Sequence, residues 1–443
     1  MQELSRVVIV GGGFGGLSTV QSLKRVPVRV TLIDRRNFHL FQPLLYQVAT
    51  GWLSPANIAS TLRAALRHQE NAHVILGEAV DVDIERRQVV LSDGRIDYDT
   101  LVLATGSSHH YFGNERWRSL APGLKTVEDA TEIRRRIFLA FETAERESDP
   151  AKLNALLTFA IVGGGPTGVE LAGALGEIAH DTLTHDFRNI DPTKTRIHLF
   201  EGGERILPTY AAELSVKAAA GLKRLGVSVH EKAIVSEITP EAVMIKRGET
   251  VERIACRTVI WAAGVQASPL GQSLAARIGA KIDRAGRLMV EPDLTIAGHP
   301  ELFVVGDLAN CSQQTGKPMA GVAPVAIQEG RYVARVITAR IKKKPVAPFH
   351  YRDRGSMAII GRASAVAEIG RLHFSGYLAW LAWLFVHIVE LVEFENKILV
   401  LVQWGWYYFS RNRAARLITR TAVPADAELE RDKMTGSGAN VRC

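Results

Sequence analysis

The chain has 443 residues, of which 47% are hydrophobic and 23% charged, a composition that suits two or three globular domains. The formal net charge of +8 would suit an anionic lipid or nucleic-acid surface, but no nucleic-acid-binding signature accompanies the basic residues, which makes nucleic acid the weaker partner. Cys256, Cys311 and Cys443 form no C-x-x-C pair, which excludes zinc ribbons and cysteine-ligated iron–sulfur clusters and fits a reducing compartment. We predict no metal site.

The first predicted element is a strand–turn–helix unit, "RVVIVGGGFGGLSTV". The chain enters this apolar run directly, so we expect no signal peptide before the fold. Gly11, Gly13 and Gly16 form a G-x-G-x-x-G motif, which allows a tight turn and lets a helix N-terminus face a pyrophosphate. The next strand, "VRVTLID", ends at Asp34, 18 residues after Gly16, about where a ribose-binding carboxylate belongs.

A second copy of this unit, "TFAIVGGGPTGVELAGAL", repeats the motif at Gly163, Gly165 and Gly168. Its acid, Glu201 in "RIHLFE", follows Gly168 by 33 residues, so a longer helix or an excursion such as "HDFRNIDPTK" must intervene. A plain strand–turn–helix is the competing interpretation of each glycine triplet, but the acids favour two dinucleotide sites. An acid at the end of each strand also favours an unphosphorylated ribose, and therefore NAD over NADP.

Three further segments follow the pattern of a known superfamily. "LVLATG" (101–106) and "TVIWAAG" (258–264) read as strands that close the two nucleotide domains, and "ELFVVGDLA" (301–309) carries Asp307 after an apolar run. With the glycine motifs, these segments resemble the FAD- and NAD-dependent reductases with two dinucleotide-binding domains and a glutathione reductase-like fold. The resemblance implies that FAD occupies the N-terminal unit and NADH the inserted one.

The resemblance also assigns residues to each cofactor, with Asp307 on the ribityl chain, Thr105 and Gly106 beside the flavin, and Val80 near the adenine. The predicted FAD contacts are Gly11, Gly13, Phe14, Gly15, Gly16, Asp34, Arg35, Val80, Thr105, Gly106, Asp307 and Ala323. The predicted NADH contacts are Gly163, Gly165, Pro166, Thr167, Gly168, Glu201 and Gly264.

The electron acceptor is predicted from the segment after Asp34. "RRNFHLFQPLLYQVATG" contains no cysteine, which excludes a direct dithiol relay. "FHLFQPLLYQVATGWLSP" resembles the type II NADH:quinone oxidoreductases, and the resemblance continues through "GGGPTGVELAGALGEIA", "AGVQASPLG", "VVGDLA" and "VAPVAIQEG". It implies oxidation of NADH through FAD and two-electron reduction of a membrane quinone, ubiquinone or menaquinone. The alternatives are a sulfide or other flavin-dependent quinone reductase, and an NADH-binding redox sensor similar to apoptosis-inducing factor.

Two residues are candidates for the reaction itself. Glu170, at the start of the "PTGVE" helix, lies near the nicotinamide and flavin in the family, where we expect it to position NADH or relay a proton towards the quinone. An ordinary helix N-terminal charge is the alternative interpretation. The family commonly has A-Q-x-A-x-Q in the quinone-facing turn. Here Pro324 stands in place of the first glutamine, so Gln328 alone is the predicted quinone contact.

The segment from Gly376 to about Ile418 is rich in apolar residues, tryptophan and tyrosine. A core helix, a transmembrane hairpin with a polar turn at Glu390, Glu393, Glu395 and Lys397, and a pair of interfacial helices are three competing interpretations. Interfacial helices best explain the aromatic residues and the basic tail, which can contact anionic lipid head groups. The basic tail comprises Arg411, Arg413, Arg416 and Arg420. We also consider His387 as a residue of a quinone entrance, against the commoner case of a packed histidine.

The predicted fold class is α/β, with two Rossmann-like doubly wound dinucleotide-binding domains, one inserted in the other, and a C-terminal α+β domain for membrane anchoring. The predicted FAD domain covers residues 1–115 and 280–335, the NADH domain 155–275, and the C-terminal domain 336–443. "FHYRDRGSMAIIGRASAVAEIG" predicts a small antiparallel sheet, of the kind that carries the dimer interface in this superfamily. We expect peripheral attachment to the cytoplasmic face of the inner membrane, with a homodimer as a candidate assembly.

Overall fold

A computed structural model describes residues 4–314, 316–392, 394–410, 413 and 415–419. Strands before residue 150 are β1 (Ser5–Val10), β2 (Val28–Asp34), β3 (Phe38–Leu40), β4 (Ala59–Thr61), β5 (Ala72–Leu76), β6 (Ala79–Asp83), β7 (Gln88–Leu91), β8 (Gly94–Asp97), β9 (Thr100–Leu103) and β10 (Ser107–His109). Later strands are β11 (Thr158–Val162), β12 (Arg196–Phe200), β13 (Val227–His230), β14 (Ile234–Ile238), β15 (Ala242–Arg247), β16 (Thr250–Ala255), β17 (Thr258–Trp261), β18 (Val265–Ala267), β19 (Leu288–Met289), β20 (Thr295–Ile296), β21 (His299–Val304), β22 (Ala309–Asn310), β23 (Ser356–Gly361), β24 (Ser364–Ile369) and β25 (Leu372–Gly376). The α-helices are α1 (Phe14–Ser22), α2 (Leu45–Ala49), α3 (Leu62–Leu66), α4 (Trp117–Leu120), α5 (Val127–Ala144), α6 (Pro150–Leu156), α7 (Pro166–Glu177), α8 (Ala212–Arg224), α9 (Pro269–Ile278), α10 (Ala323–Ile341), α11 (Tyr377–Glu390) and α12 (Phe394–Ser410).

The first nucleotide-binding domain is built on a six-stranded sheet in the order β20-β21-β9-β1-β2-β5. Its strands pair in parallel, except that β20 runs antiparallel to β21. In the central strand β1, Val8 pairs with Thr31 on one side and Leu101 on the other, and it is buried. The continuous apolar run of β1 is what a parallel strand covered on both faces requires.

The second nucleotide-binding domain is inserted in the first. Its four strands pair in parallel in the order β13-β12-β11-β17. Leu302 of β21 pairs with Leu101 of β9, although the whole second domain lies between them in the sequence. The strand pairing is what a discontinuous first domain requires, and its predicted residue bounds stay a prediction.

The late position of Glu201 has a structural cause in the connection between α7 and β12. Helix α7 ends at Glu177 and continues as a π-helical turn over Ile178–Thr182. The chain then makes an irregular excursion and a 3-10 turn over Pro192–Lys194 before β12 begins. Both predicted features fill the interval, because α7 and its π-helical turn have 12 and 5 residues against 9 in α1, and the excursion follows them.

The C-terminal region combines a three-stranded sheet with two helices. Strands β23, β24 and β25 pair antiparallel in chain order, which confirms the predicted sheet. The sheet packs against α7 and α8 of the second domain and against α11. Trp383 of α11 and Trp404 of α12 are buried between these elements. The predicted domain boundary between residues 335 and 336 falls inside the continuous helix α10, which packs on α1.

Helix α11 has 14 residues and ends at Glu390, and helix α12 has 17 residues and begins at Phe394. Within the described part of the chain, no helix is both long and apolar enough to cross a membrane. The connecting turn carries Glu390 at the end of α11 and Glu395 in the first turn of α12, as expected for a polar turn. Glu393 lies outside the described residues.

Candidate active site and family

The first glycine-rich turn has the geometry that a dinucleotide requires. Gly11 adopts a φ of +107°, and a Cβ at this position would lie 2.3 Å from the Ala104 carbonyl oxygen, so only glycine fits. A Cβ on Gly16 would lie 1.8 Å from the Gly11 carbonyl oxygen. Gly13, in contrast, has no atom within 4 Å of where a Cβ would be. The turn is therefore tight against β9 and open at the N-terminus of α1, where a phosphate would lie.

Asp34 connects the end of β2 to this turn. Its Oδ2 accepts a hydrogen bond from the Gly12 amide at 2.5 Å, and its Oδ1 accepts one from the Arg36 amide at 2.7 Å. The carboxylate therefore lies beside the glycine turn at the carboxyl end of a strand. This is the position from which an acid binds the ribose of a dinucleotide.

The second glycine-rich turn has the same backbone conformation and the same close approaches as the first. Gly163 has a φ of +110°, a Cβ on Gly168 would lie 1.8 Å from the Gly163 carbonyl oxygen, and the Cβ position of Gly165 is open. Pro166 begins α7 and Thr167 follows it, so the helix N-terminus again faces the open side of the turn. Proline suits this position because its missing N–H has no partner in the first helical turn.

Glu201 is the counterpart of Asp34. Its Oε2 accepts a hydrogen bond from the Gly164 amide at 2.7 Å, and its Oε1 accepts one from the Gly203 amide at 2.6 Å. Gly264 follows β17 with a φ of +67°, and a Cβ there would lie 2.7 Å from the Phe112 ring. The predicted NADH residues therefore surround one turn and the carboxyl ends of its strands.

The segment after β21 adds a charged cluster to the first domain. Asp307 Oδ2 accepts a hydrogen bond from Ser107 Oγ at 2.5 Å and lies 3.6 Å from Lys125 Nζ. Lys125 Nζ also donates to Ser107 Oγ at 3.1 Å. The preceding Gly306 amide donates to Glu329 Oε2 at 2.5 Å, and burial raises the pKa of Glu329 to about 8. Lys125 cannot be identified from the sequence, because no motif marks it and only the fold brings it to Asp307.

Two buried polar atoms lack a partner near this site. Thr105 Oγ1 and His39 Nε2 are buried without a hydrogen bond to any described residue, and His39 Nδ1 lies 3.0 Å from the Gly12 carbonyl oxygen. Gly106 adopts a φ of +68° with open space at its Cβ position. Buried polar atoms are normally hydrogen-bonded, so unpaired ones beside an open cradle indicate a ligand. These features fit FAD.

Some of the remaining predicted FAD residues lie at the first glycine-rich turn or near Asp307, and others lie on the protein surface. Phe14 begins α1, and a Cβ on Gly15 would lie 2.9 Å from the Val305 side chain, so these two residues line the turn. Ala323 begins α10, the helix that packs against the turn containing Asp307. Val80 is exposed on β6, and Arg35 is exposed 3.9 Å from Glu78.

Glu170 lies in the first turns of α7 and is half-buried. Burial raises its pKa to about 8, although the Ile359 amide hydrogen-bonds to the carboxyl and opposes that shift. Glu170 lies near two buried phenols, since its charge is the second cause, after burial, of the raised pKa of Tyr46 and of Tyr210. The carboxyl is therefore protonated at neutral pH and can hold or release a proton there.

Gln328 lies on α10 with both ends of its amide already hydrogen-bonded. Its Nε2 donates to the Arg352 carbonyl oxygen at 2.9 Å, and its Oε1 accepts from the Arg352 amide at 3.0 Å. Pro324 is in the first turn of the same helix, without a side-chain amide that a quinone carbonyl could share. The role of Gln328 at a quinone therefore stays a prediction.

An aromatic series joins the first glycine turn to the C-terminal helices. The Phe14 ring lies edge-on to Phe41 at 5.8 Å between centroids, and Phe41 lies edge-on to His387 at 6.2 Å. His387 stacks on Trp383 at 4.1 Å, and burial lowers its pKa to about 4, so the imidazole is neutral. Trp404 Nε1 donates to Gln47 Oε1 at 2.7 Å, which adds a buried polar link. His387 is therefore packed inside the contact between α11 and residues 38–52, which we call the flavin-side segment.

The cysteines give no support for a sulfide reaction. Cys256 and Cys311 are both buried, and they belong to different hydrophobic cores. Burial raises the pKa of Cys256 to about 12 and of Cys311 to about 11, which leaves both as unreactive thiols. Cys443 lies outside the described residues.

The predicted lipid-facing basic tail was wrong for Arg413. Its side chain is buried and lies 3.0 Å from Glu177 Oε2, so it neutralises an internal carboxylate instead of a head group. Arg416 forms an ion pair with Asp186. Arg411 and Arg420 lie outside the described residues.

Comparison with known proteins gives one consistent family. Residues 5–330 match the pyridine nucleotide-disulphide oxidoreductase family, and residues 354–412 match the NDH2 C-terminal domain. The type II NADH:quinone oxidoreductase NdhA of Mycobacterium tuberculosis is 46% identical, over 95% of this chain and 90% of the relative. The type II NADH:quinone oxidoreductase Ndh of the same organism is 45% identical, over 96% of this chain and 92% of the relative.

A solved structure agrees with these sequence relatives. NDH2 from Plasmodium falciparum in complex with NADH superposes with a TM-score of 0.86 at 20% identity, over 94% of this chain and all of that one. At this identity the match supports the fold, whereas the Mycobacterium relatives establish the family. The chain therefore belongs to the type II NADH:quinone oxidoreductases, enzymes that oxidise NADH and reduce a quinone.

Proposed function

We propose that this enzyme passes the electrons of NADH through FAD in the first nucleotide-binding domain to a membrane quinone that arrives beneath helices α11 and α12. When bound there, FAD would supply the redox centre for a two-electron transfer from NADH to the acceptor. The single observation that carries the proposal is the aromatic series Phe14, Phe41 and His387. It supports a continuous apolar route from the glycine turn beside the flavin to helices with exposed apolar faces.

The chain's own residues bind and orient both nucleotides. Asp34 and Glu201 are set to hold the riboses, since each carboxylate already bonds the amide of its glycine turn. Asp307, held by Ser107 and Lys125, is set to bind the ribityl chain. Water is excluded from the acceptor side by the buried rings of α11 and α12.

Glu170 is the proposed proton donor for the quinone side. Its carboxyl is protonated below about pH 8, because burial disfavours the charged form. Reduction of a quinone to a quinol by NADH consumes one proton from the medium besides the hydrogen of NADH. A half-buried acid that is protonated at neutral pH and adjoins the flavin-side Tyr46 suits that transfer.

The exposed faces of α11 and α12 support attachment to the membrane surface. Phe385, Leu378, Trp406 and Phe409 are between 69% and 84% exposed, which is unusual for such large apolar side chains. A core helix would bury them, so the two helices fit an interfacial position with their other sides packed on the protein. We assign the enzyme to the cytoplasmic face, because cysteines without a disulfide framework fit a reducing compartment.

A spectroscopic cycle tests the redox proposal. The purified protein should be yellow, lose its flavin absorbance on addition of NADH, and recover it when a short-chain quinone is added without oxygen. Bleaching by sulfide and not by NADH would favour the sulfide alternative, and flavin absorbance that does not recover with quinone would contradict the proposal. A protein that bleaches with NADH but turns over on no acceptor would favour the redox-sensor alternative.

A matched pair of surface variants tests the membrane proposal. The double variant Phe385→Ser and Phe409→Ser should bind anionic lipid vesicles at least roughly tenfold more weakly, since burial of each phenyl ring is worth about 1.5–3 kcal/mol. The control is Leu76→Ser with Ile234→Ser, which removes side chains that are 60% and 58% exposed elsewhere. Equal vesicle binding by both double variants would refute the assigned surface.

A further inference from the structure

A buried polar cluster outside the nucleotide sites lies where α7, α12 and the segment after α2 meet. Glu177, the last residue of α7, pairs with Arg413 at 3.0 Å, and their side chains are 2% and 0% exposed. Tyr407 of α12 donates its hydroxyl to the same carboxylate at 3.0 Å. The Arg362 amide donates to the other carboxylate oxygen. The three hydrogen bonds that this buried acid accepts from described residues therefore all come from the C-terminal region.

Arg413 also connects to the flavin-side segment. Its Nη1 donates to the Thr50 carbonyl oxygen at 3.0 Å, and its guanidinium lies 4.9 Å from the centre of the Trp52 ring and 5.5 Å from that of Tyr407. The Trp52 and Tyr407 rings lie 4.0 Å apart. One cation thus bonds the acid of the NADH-binding helix, the backbone of the first domain and two aromatic rings. Arginine is suited to this because its planar fork can hydrogen-bond and stack at once.

The two rings form part of the wall of a narrow cavity between α11, α12 and the flavin-side segment. Gln47, Trp383 and Trp404 line the same cavity, and its free volume of about 10 Å³ has room for about one water molecule. Trp383 also stacks on His387 of the aromatic series, so the cavity adjoins the proposed acceptor route. The shape of this cavity therefore depends on the contacts that fix the Trp52 and Tyr407 rings.

We propose that Glu177 and Arg413 are positioning residues for the quinone reaction. Their buried ion pair, with the Tyr407 hydroxyl on the same carboxylate, clamps the end of α12 and Arg413 beyond it to α7, and holds the Trp52 and Tyr407 rings beside the proposed acceptor route. This inference rests on the proposed quinone route. It assigns no contact with NADH, because Glu177 is at the opposite end of α7 from the glycine turn. Loss of the clamp should therefore change quinone kinetics and leave the NADH reaction with a soluble dye intact.

A purely structural ion pair would make a different prediction. Removal of one partner leaves a buried charge unpaired and destabilises the whole protein, so all activities would fall with the folded fraction. The variant that separates the two cases is Glu177→Gln with Arg413→Met. It removes both charges together, and the glutamine oxygen still accepts the hydrogen bond from the Arg362 amide.

The test measures FAD content, melting temperature, and KM and kcat for NADH, a short-chain quinone and a soluble dye in the holoenzyme. We expect the double variant to melt above either single variant and to retain FAD. Its KM for quinone should rise roughly tenfold, while KM for NADH and the dye rate stay within about twofold of wild type. Arg413→Lys, which keeps the charge but cannot bond and stack in the same way, should give an intermediate quinone KM.

The control is Asp186→Asn, which breaks the ion pair with Arg416 in the same C-terminal segment without touching Trp52 or Tyr407. It should leave the quinone KM unchanged. The inference is overturned if the folded double variant has the wild-type quinone KM, or if quinone and dye activities fall together in proportion to lost FAD. Absence of quinone reduction in the wild-type enzyme would instead refute the proposed function itself.

Discussion

The two nucleotide-binding units of this enzyme share one turn and differ in what surrounds it. Gly11 and Gly163 have φ values of +107° and +110°. The amide of the next glycine in each turn, Gly12 or Gly164, donates a hydrogen bond to Asp34 or Glu201. Within the turn, the two units are equivalent. Any difference between a resident cofactor and an exchanging substrate must therefore come from the residues around the turn.

Those surroundings enclose the first unit and leave the second exposed. The first is closed by Asp307 and Lys125, whose side chains are 23% and 21% exposed, and by the N-terminus of α10. In the second unit, Gly202, Gly203 and Glu204 are exposed beside the acid. The same local geometry thus suits a permanently bound FAD in one place and a nicotinamide that enters and leaves in the other.

Among the variants that distinguish the two units, a matched pair of glycine substitutions should have the largest effect on nucleotide binding. A Cβ on Gly16 or on Gly168 would lie 1.8 Å from a carbonyl oxygen of its own turn, so alanine must distort either turn. Gly16→Ala should yield colourless protein, whereas Gly168→Ala should stay yellow and lose roughly 100-fold or more in kcat/KM for NADH. Flavin absorbance and NADH kinetics of the two variants measure this. Loss of flavin from Gly168→Ala would break the assignment of the two units.

Removal of the ribose-binding acid from either unit should weaken binding of that unit's own nucleotide, by less than the glycine substitutions do. Glu201→Ala removes a charged hydrogen-bond acceptor from the ribose, and bonds to charged groups contribute about 1.5–3 kcal/mol, so KM for NADH should rise roughly tenfold or more. The preference for NADH over NADPH should narrow as well, because the carboxylate no longer repels the 2′-phosphate. Asp34→Ala should leave that preference unchanged and release FAD more readily on dialysis. An unaltered nucleotide preference in Glu201→Ala would argue against its ribose role.

The pH dependence of quinone reduction tests whether α7, whose N-terminus faces the NADH site, also provides the proton donor Glu170 for the quinone. Burial raises the pKa of Glu170 from 4.5 to about 8, so the carboxyl is protonated at neutral pH and ionises above that value. Quinone reduction should therefore fall as the pH rises through about 8, and Glu170→Gln should reduce the rate roughly tenfold and remove this step. Dye reduction should follow neither change. A quinone profile in Glu170→Gln that still falls near pH 8 would assign the step to another group.

The same shift predicts a stability effect with a definite sign. Because the folded-state pKa of Glu170 lies above its unfolded value of 4.5, the folded protein binds more protons between these values. The free energy of unfolding should therefore decrease as the pH rises from about 4.5 through about 8, and Glu170→Gln should remove part of that decrease. Denaturant unfolding at several pH values checks this without any assay of turnover.

The sequence alone was sufficient for the parts of the site that neighbouring residues determine. The glycine turns, their acids, the inserted second domain and the antiparallel sheet follow from short-range patterns and apolar periodicity, and all of these are present in the structure. Lys125 and the Glu177–Arg413 pair could not be predicted, because no local pattern indicates which distant side chain will meet a buried acid. Arg413 in particular reads as a surface charge in the sequence and becomes an internal cation only through packing of the segment after α12.

Of these variants, Gln328→Leu should change the kinetics of quinone reduction least. In the structure, a quinone carbonyl would have to replace one of the two hydrogen bonds between the Gln328 amide and the Arg352 backbone, so the net gain from such a contact is only the difference between two similar bonds. We therefore expect the quinone KM to rise roughly threefold, with dye reduction unchanged. Gln328→Glu is the matched control, since it keeps the acceptor for the Arg352 amide but removes the donor. If Gln328→Leu lowers the melting temperature and slows both acceptors equally, Gln328 holds residue 352 in place, and the route beneath α11 and α12 must recognise the quinone by its aromatic lining alone.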